Sequence, residues 1–177
     1  MLIESIKSEY QRYKSLAEMA ISQVKDTHLH LVVGDDNNSI AVVIKHIFGN
    51  LRSRFTNFLD EDGEKPWRER DKEFEEGFEK RTDLMRNWEG AWKILFDQLD
   101  LLKDSDLGKA VKIRNKELWV CDALERSLAH VSYHVGQIVL MSRIHAGKDW
   151  KSLSIPRGKS EEYLLNPTKE RHPNPKS

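Results

Sequence analysis

His130 and His134 stand four residues apart in HVSYHVGQIV, and on a helix that spacing projects both side chains from one face, within reach of a single metal ion. Imidazoles at this spacing also pack as two half-buried core residues, so the pair alone leaves both readings open. Turning the helix at its usual angular step sets the pair beside, and not within, the apolar stripe of Leu124, Leu128, Val131, Val135 and Ile138. The same construction on an earlier helix sets His46 to one side of its own stripe, with Ser39, Asn50 and Ser53 near it on the surface. If the two seams face each other, three neutral imidazoles converge and leave coordination positions for water or substrate, as catalytic metal sites do and closed structural ones do not.

Other polar residues can line such a pocket. Asn50 stands one turn from His46, and Arg126 and Gln137 fall on the His130 side of their helix. Each has an ordinary alternative: Asn50 and Gln137 can satisfy buried backbone or hold an imidazole in one tautomer, and Arg126 can pair with a surface acid. Tyr133 turns away from the ligand seam and is expected to pack against another helix. Trp88 and Trp92 read as core, not as a cofactor cage.

These residues need helices to carry them. From Leu2 to about Lys25, the residues Ile3, Ile6, Tyr10, Tyr13, Ala17, Ala20 and Val24 recur at steps of three and four, which predicts a first helix. Gly34, Asp35, Asp36, Asn37 and Asn38 mark a reversal. Ser39 is a candidate cap for a second helix whose stripe runs through Ile40, Ile44, Ile47, Leu51, Phe55 and Phe58 until Gly63 ends it. The run from Glu61 to Arg81 is dense in charge, contains Pro66 and shows no sustained stripe, so it reads as a solvated connection pinned by Trp67, Phe74 and Phe78, with a substrate lid as the functional alternative. Thr82 is a candidate cap for a third helix buried through Leu84, Trp88, Trp92, Leu95, Leu99 and Leu102. A connection of about 20 residues can run the length of a helix, roughly 30 Å, and lets the third helix start parallel to the second. KIRNKELW suggests a small hairpin turning at Asn115 and Lys116, and the fourth helix spans about Cys121 to Ala146 with Gly147 as terminator. The expected fold is all-α, a four-helix bundle over residues 1–150 for which the long connection makes an up-down-down-up order possible. Residues 151–177 form a C-terminal arm, extended or disordered, partly docked through Leu153, Ile155, Tyr163 and Leu164.

Composition narrows the functions. At 177 residues one core is expected. Lys+Arg and Asp+Glu both number 29, a formal net charge of +0, so no long-range field gathers nucleic acid or anionic lipid. The charged N-terminal stretch carries no apolar run suited to a signal peptide or membrane span, and the single cysteine, Cys121, fits a reducing compartment, with a buried inert thiol as its reading. A cytoplasmic protein is expected.

The segments NSIAVVIKHIFGN, DGEKPWRERDKEF, HVSYHVGQIV and SLSIPRGKSEEY together resemble a bacterial subgroup of the DinB-like superfamily, over most of the chain. The resemblance implies a four-helix bundle of up-down-down-up order, a histidine triad with one ligand from the second helix and an HxxxH pair from the fourth, and a homodimer. It assigns the metal ligands His46, His130 and His134. The activities it implies belong to metal-dependent enzymes: hydrolases, or transferases and isomerases that use a low-molecular-weight thiol such as bacillithiol or mycothiol. The shared element is a Lewis-acidic metal that holds water or a thiol in its nucleophilic form against a small electrophilic substrate. Zinc is the default divalent ion, and the imidazole donors suit nickel, iron or manganese as well. The rival expectation is a non-catalytic binding or dimeric assembly module whose metal only braces two helices.

Overall fold

Apolar residues repeating every three or four positions bury one face of each long helix, as the periodicity requires. A computed structural model describes residues 2–75, 77 and 80–167 of the protein. Phe78 and the proline-rich end beyond residue 167 lie outside the described residues. The bundle is made of α1 (Leu2–Ile21), α2 (Ile40–Phe55), α3 (Arg81–Leu101) and α4 (Val120–Ala146), with a two-stranded hairpin, β1 (Ala110–Ile113) and β2 (Lys116–Trp119), before α4 and a short α5 (Ser160–Leu165) after it. The fold is all-α apart from that hairpin.

Contacts along the helices fix their directions. The Tyr10 hydroxyl donates to the Leu124 carbonyl in the first half of both α1 and α4, and Gln23 Nε2 donates to the Lys151 carbonyl just past their ends, so these two helices run parallel. Lys14 pairs with Glu89 at 2.9 Å and Lys7 with Asp100, so α3 runs against α1. The end of α2 returns to the first half of α1, where the Phe55 and Tyr10 rings meet edge-on at 6.4 Å. The order is up-down-down-up. α2 packs mainly on α3, and it also packs on α4. Enclosed in this way, it buries Ile40, Ala41, Val42, Val43 and Ile44 in succession.

Element ends depart from the sequence expectations for local reasons. Ser39 caps α2, its Oγ accepting from the Val42 N–H at 3.3 Å. The helix stops at Phe55, because Asn57 takes a left-handed φ of 50°, and Phe58 turns back to stack near Phe55 with ring centroids 5.2 Å apart. Gly63 is therefore no terminator. Its carbonyl accepts from the Ser53 hydroxyl at 2.7 Å and its N–H donates to the Lys112 carbonyl at 2.8 Å, which joins α2, the connection and the hairpin. Thr82 lies inside α3, and Lys80 holds the cap position without a side-chain bond. Arg81 supplies the anchor instead, donating to the Ile21 and Val24 carbonyls and to Asp26.

The hairpin turns at Arg114 and Asn115, one residue earlier than expected, both with positive φ (56° and 59°). Asp62 compensates: its carboxylate accepts from the N–H groups of Arg114 and Asn115 at 2.8 and 2.7 Å, and from Glu64 N–H at 2.7 Å. Partial burial acts to raise the Asp62 carboxyl, and these three backbone donors hold it below its ordinary range. After α4, closed by Gly147 at φ 56°, Leu153 packs on the core. The arm was expected to lack regular structure, yet α5 forms, favoured by Glu161 and Glu162 in its first turn and the Lys159–Glu162 pair. Of the expected docking residues Leu164 and Ile155 are exposed, while Tyr163 is half-buried. Cys121 is half-buried and not enclosed.

Asp62→Ala is expected to lower the thermal midpoint through a loss of about 1–3 kcal/mol, since three donors lose their acceptor in a turn of unfavourable φ. The wild-type advantage should fade as pH falls through the depressed Asp62 value, because protonation in the fold removes what an ordinary carboxyl in the unfolded chain does not have. Thermal melts of the two proteins that coincide at neutral pH would contradict this account.

Candidate metal centre

The parallel and antiparallel pairings of the bundle bring the middle of α2 against the middle of α4, and with them the three histidines. Nε2 of His130 lies 3.0 Å from Nε2 of His46 and 3.1 Å from Nε2 of His134. The rings meet edge to face, with centroids 4.5–5.1 Å apart. Among the described residues this is the one set of three or more potential ligand side chains close enough to hold a metal ion. Tetrahedral zinc with nitrogen ligands at about 2.0–2.1 Å separates its ligand atoms by roughly 3.3 Å, so the spacing seen here fits one ion.

The far sides of two rings are held by acceptors. His46 Nδ1 donates to Glu73 Oε2 at 2.9 Å, and His134 Nδ1 donates to Gln137 Oε1 at 2.7 Å. With the proton on Nδ1, each ring presents a bare Nε2 to the centre. Both bare nitrogens face His130 Nε2, and the three crowd one centre where a proton or a cation between them offsets the repulsion. His130 Nδ1 is buried without a hydrogen-bond partner. Burial, followed by the neighbouring His134 and His46 rings and the Arg68 and Arg54 charges, pushes His130 down to about 3. Burial also lowers His134, with the Gln137 hydrogen bond acting the other way. Both rings are thus neutral near pH 7, the form in which imidazole binds metal.

Glu73 is the residue that sequence reasoning missed. It lies in the charged connection, on a single turn of 3₁₀ helix (Asp71–Phe74), and is buried against α2. Arg68 grips it with two bonds, Nε to Oε1 at 2.8 Å and Nη2 to Oε2 at 2.9 Å. Burial acts to raise the Glu73 carboxyl, but the bonds from His46 and Arg68 and the Arg68 charge outweigh it and hold it below the usual carboxylate range. Phe74 follows on the same turn and tilts over His46 at 4.8 Å. The connection is therefore more than a solvated loop, although Trp67 remains exposed, with Arg52 over its ring at 4.5 Å.

Gly49 explains how the carboxylate gets in. A Cβ at this position would meet Glu73 Oε1 at 2.0 Å and Cδ at 2.5 Å. A glycine inside a helix costs roughly 1 kcal/mol relative to alanine, and here it opens the gap through which Glu73 reaches His46. That glycine, three residues after His46 in KHIFGN, was the signal in the sequence.

The other expected residues fall into place unevenly. Asn50 and Arg126 line a cavity of about 480 Å³ that also touches His46, His130 and His134. Arg126 has no carboxylate in ion-pair range among the described residues, so the surface-pair alternative is not what forms. Gln137 holds His134 as described. Ser39 and Ser53 are buried, one as cap and the other as tie to Gly63, and do not form a surface beside the site. Tyr133 does not pack against another helix: it is 63% exposed, edge-on to His134 at 4.9 Å, and its hydroxyl accepts from Gln137 Nε2 at 3.4 Å. Trp88 and Trp92 are fully buried core.

Over residues 1–159 the chain matches the family described as protein of unknown function (DUF1572), and it belongs to that family. Comparison with curated proteins and with solved structures gave no match.

Gly49→Ala is expected to leave the helical content intact while displacing Glu73 and freeing the His46 ring. Nitrogen-detected spectra of the histidine side chains should show His46 losing its fixed Nδ1–H tautomer. A His46 signal identical to wild type would mean that the glycine is not what admits the carboxylate.

Proposed function

We propose that the protein is a divalent-metal-dependent enzyme of the DinB-like type, in which His46, His130 and His134 hold one ion and a water or low-molecular-weight thiol attacks a small electrophilic substrate. The reaction class is hydrolysis or thiol transfer. One observation carries the reading: three imidazole Nε2 atoms meet at the wall of a cavity of about 480 Å³, a size suited to a small molecule. When bound, the ion supplies Lewis acidity that lets water or a thiol react as its anion at neutral pH.

The remaining work falls to the chain. Glu73 and Gln137 keep protons on the outer nitrogens of His46 and His134, so the inner lone pairs stay available. Phe74 shields one side of His46 from water. The all-nitrogen donor set makes zinc the default, with nickel, iron and manganese compatible. A purely structural metal brace calls for a closed fourth side, and the cavity against all three histidines favours catalysis over that rival.

Among the described residues no helix is long and apolar enough to cross a membrane, and a cytoplasmic setting is part of the proposal. So is a homodimer, for which Tyr133, Leu140 and Ile144 offer exposed apolar surface along one side of α4. Light scattering that returns a monomer mass at micromolar concentration would remove the dimer.

Metal analysis of purified protein tests the centre. Wild type should carry one divalent ion per chain, and His46→Ala and His134→Ala should lose it while keeping wild-type helicity. Glu73→Gln should retain the site with about 10–100-fold weaker affinity. Undiminished metal in either alanine variant would overturn the assignment.

A further inference from the structure

The cavity beside the histidines has a chemical bias that the metal alone does not account for. Six cations line it, Arg54, Arg68, Arg70, Arg114, Lys116 and Arg126, and among the described residues no carboxylate does. Carboxylates sit behind part of this wall. Glu64 faces Arg54 at 3.2 Å, Arg114 at 2.9 Å and Arg68 at 3.8 Å, while Glu73 takes the other edge of Arg68. Among the described residues Arg70 has only Asp71 as a carboxylate partner, at 4.0 Å and fully exposed to water. Lys116 and Arg126 have no carboxylate within ion-pair range among the described residues.

Like charges gathered at a partly enclosed surface repel one another and attract a counter-charge, more strongly than the same groups spread over open water. The chain as a whole is neutral, with 29 charges of each sign, so this concentration is local. A second observation points the same way. The Arg68 side chain is 2% exposed, and its Nη1 is buried with no acceptor at hydrogen-bond distance, the Glu64 carboxylate standing off at 3.8 Å. A buried guanidinium donor without an acceptor is a rare arrangement in a folded protein and fits a partner that arrives with the ligand.

The same cavity is also lined by Phe55, Phe58, Phe74, Ile113 and Leu118. Its volume suits a small molecule and excludes a nucleic-acid duplex or a bilayer surface. We propose that the substrate is a small organic oxyanion, an apolar body bearing a carboxylate or phosphate group, with the oxyanion held by the Lys116–Arg126 side of the wall and the apolar part resting on the aromatic lining. This deepens the reading above and rests on it only for where the reacting end lies.

Calorimetric titration of the full chain, as purified, with phenyl phosphate, phenylacetate and the neutral 2-phenylethanol tests the proposal. At least one anion should bind, more weakly as ionic strength rises, and the neutral compound should bind at least tenfold more weakly. Phenyl phosphate binding tighter than phenylacetate assigns a phosphate to the wall, and the reverse order assigns a carboxylate. The double variant K116Q/R126Q should lose about tenfold or more in anion affinity, roughly 1.4 kcal/mol, with its metal content unchanged. His46→Ala separates the two readings: anion binding that survives loss of the metal belongs to the basic wall. The proposal is overturned if no anion binds, if 2-phenylethanol matches the anions, if K116Q/R126Q binds them as wild type does, or if His46→Ala abolishes binding. The metal content of the same samples reports independently on the triad.

Discussion

A carboxylate enclosed by protein must find positive or donating partners on every side, or give up its charge. Glu73 meets that demand from two directions, accepting from Arg68 within its own segment and from His46 on α2. Breaking such a buried pair from one side costs roughly 3–5 kcal/mol, because the remaining charge is stranded. The contact therefore fastens the connection between α2 and α3 to the bundle. It also decides which nitrogen of His46 carries the proton. Stability of the segment and readiness of the ligand set share one hydrogen bond.

Helix order makes this arrangement accessible. A bundle with short links throughout alternates direction at every turn, whereas here α2 and α3 run the same way and residues 56–80 must travel back along the bundle between them. A segment obliged to pass the middle of α2 passes His46. The connector thus supplies Arg68, Glu73 and Phe74 to the centre, and its first part, through Asp62 and Gly63, ties down the hairpin that walls the cavity. The parallel pairing of α1 with α4 completes the geometry by turning the His130 and His134 side of α4 toward α2.

The four helices were legible because their apolar residues repeat with the helical period, and the repeat survives even where single residues are ambiguous. The triad was legible in part for a related reason: His130, His134 and His46 each stand just off a stripe, on a seam between helices, but it was the family resemblance that joined the three into one ligand set. Gln137 was legible only as a residue on the His130 side of α4, and its bond to His134 came from the structure. What stayed hidden depended on contacts between distant segments. In the run RERDKE every residue is charged, so nothing in the pattern marks Glu73 and Arg68 as the two that turn inward. Phe58 continued the α2 repeat although the helix had ended, since a turn at Asn57 returned it to the same core by another route. The hairpin moved by one residue because Asp62, far off in sequence, favours the backbone of Arg114 and Asn115 as its donors.

Overall neutrality has a corollary for the outside of the molecule. A cavity that draws six positive side chains to its walls, with three carboxylates close by, leaves the remainder of a balanced chain with more acidic groups than basic ones. A long polyanion approaching from solution meets mild repulsion first and is too large to enter. A compact solute of the same sign, once past the rim, meets the opposite potential. If the cavity takes a small anion as proposed, discrimination by size follows from the distribution of charge, without a dedicated gate.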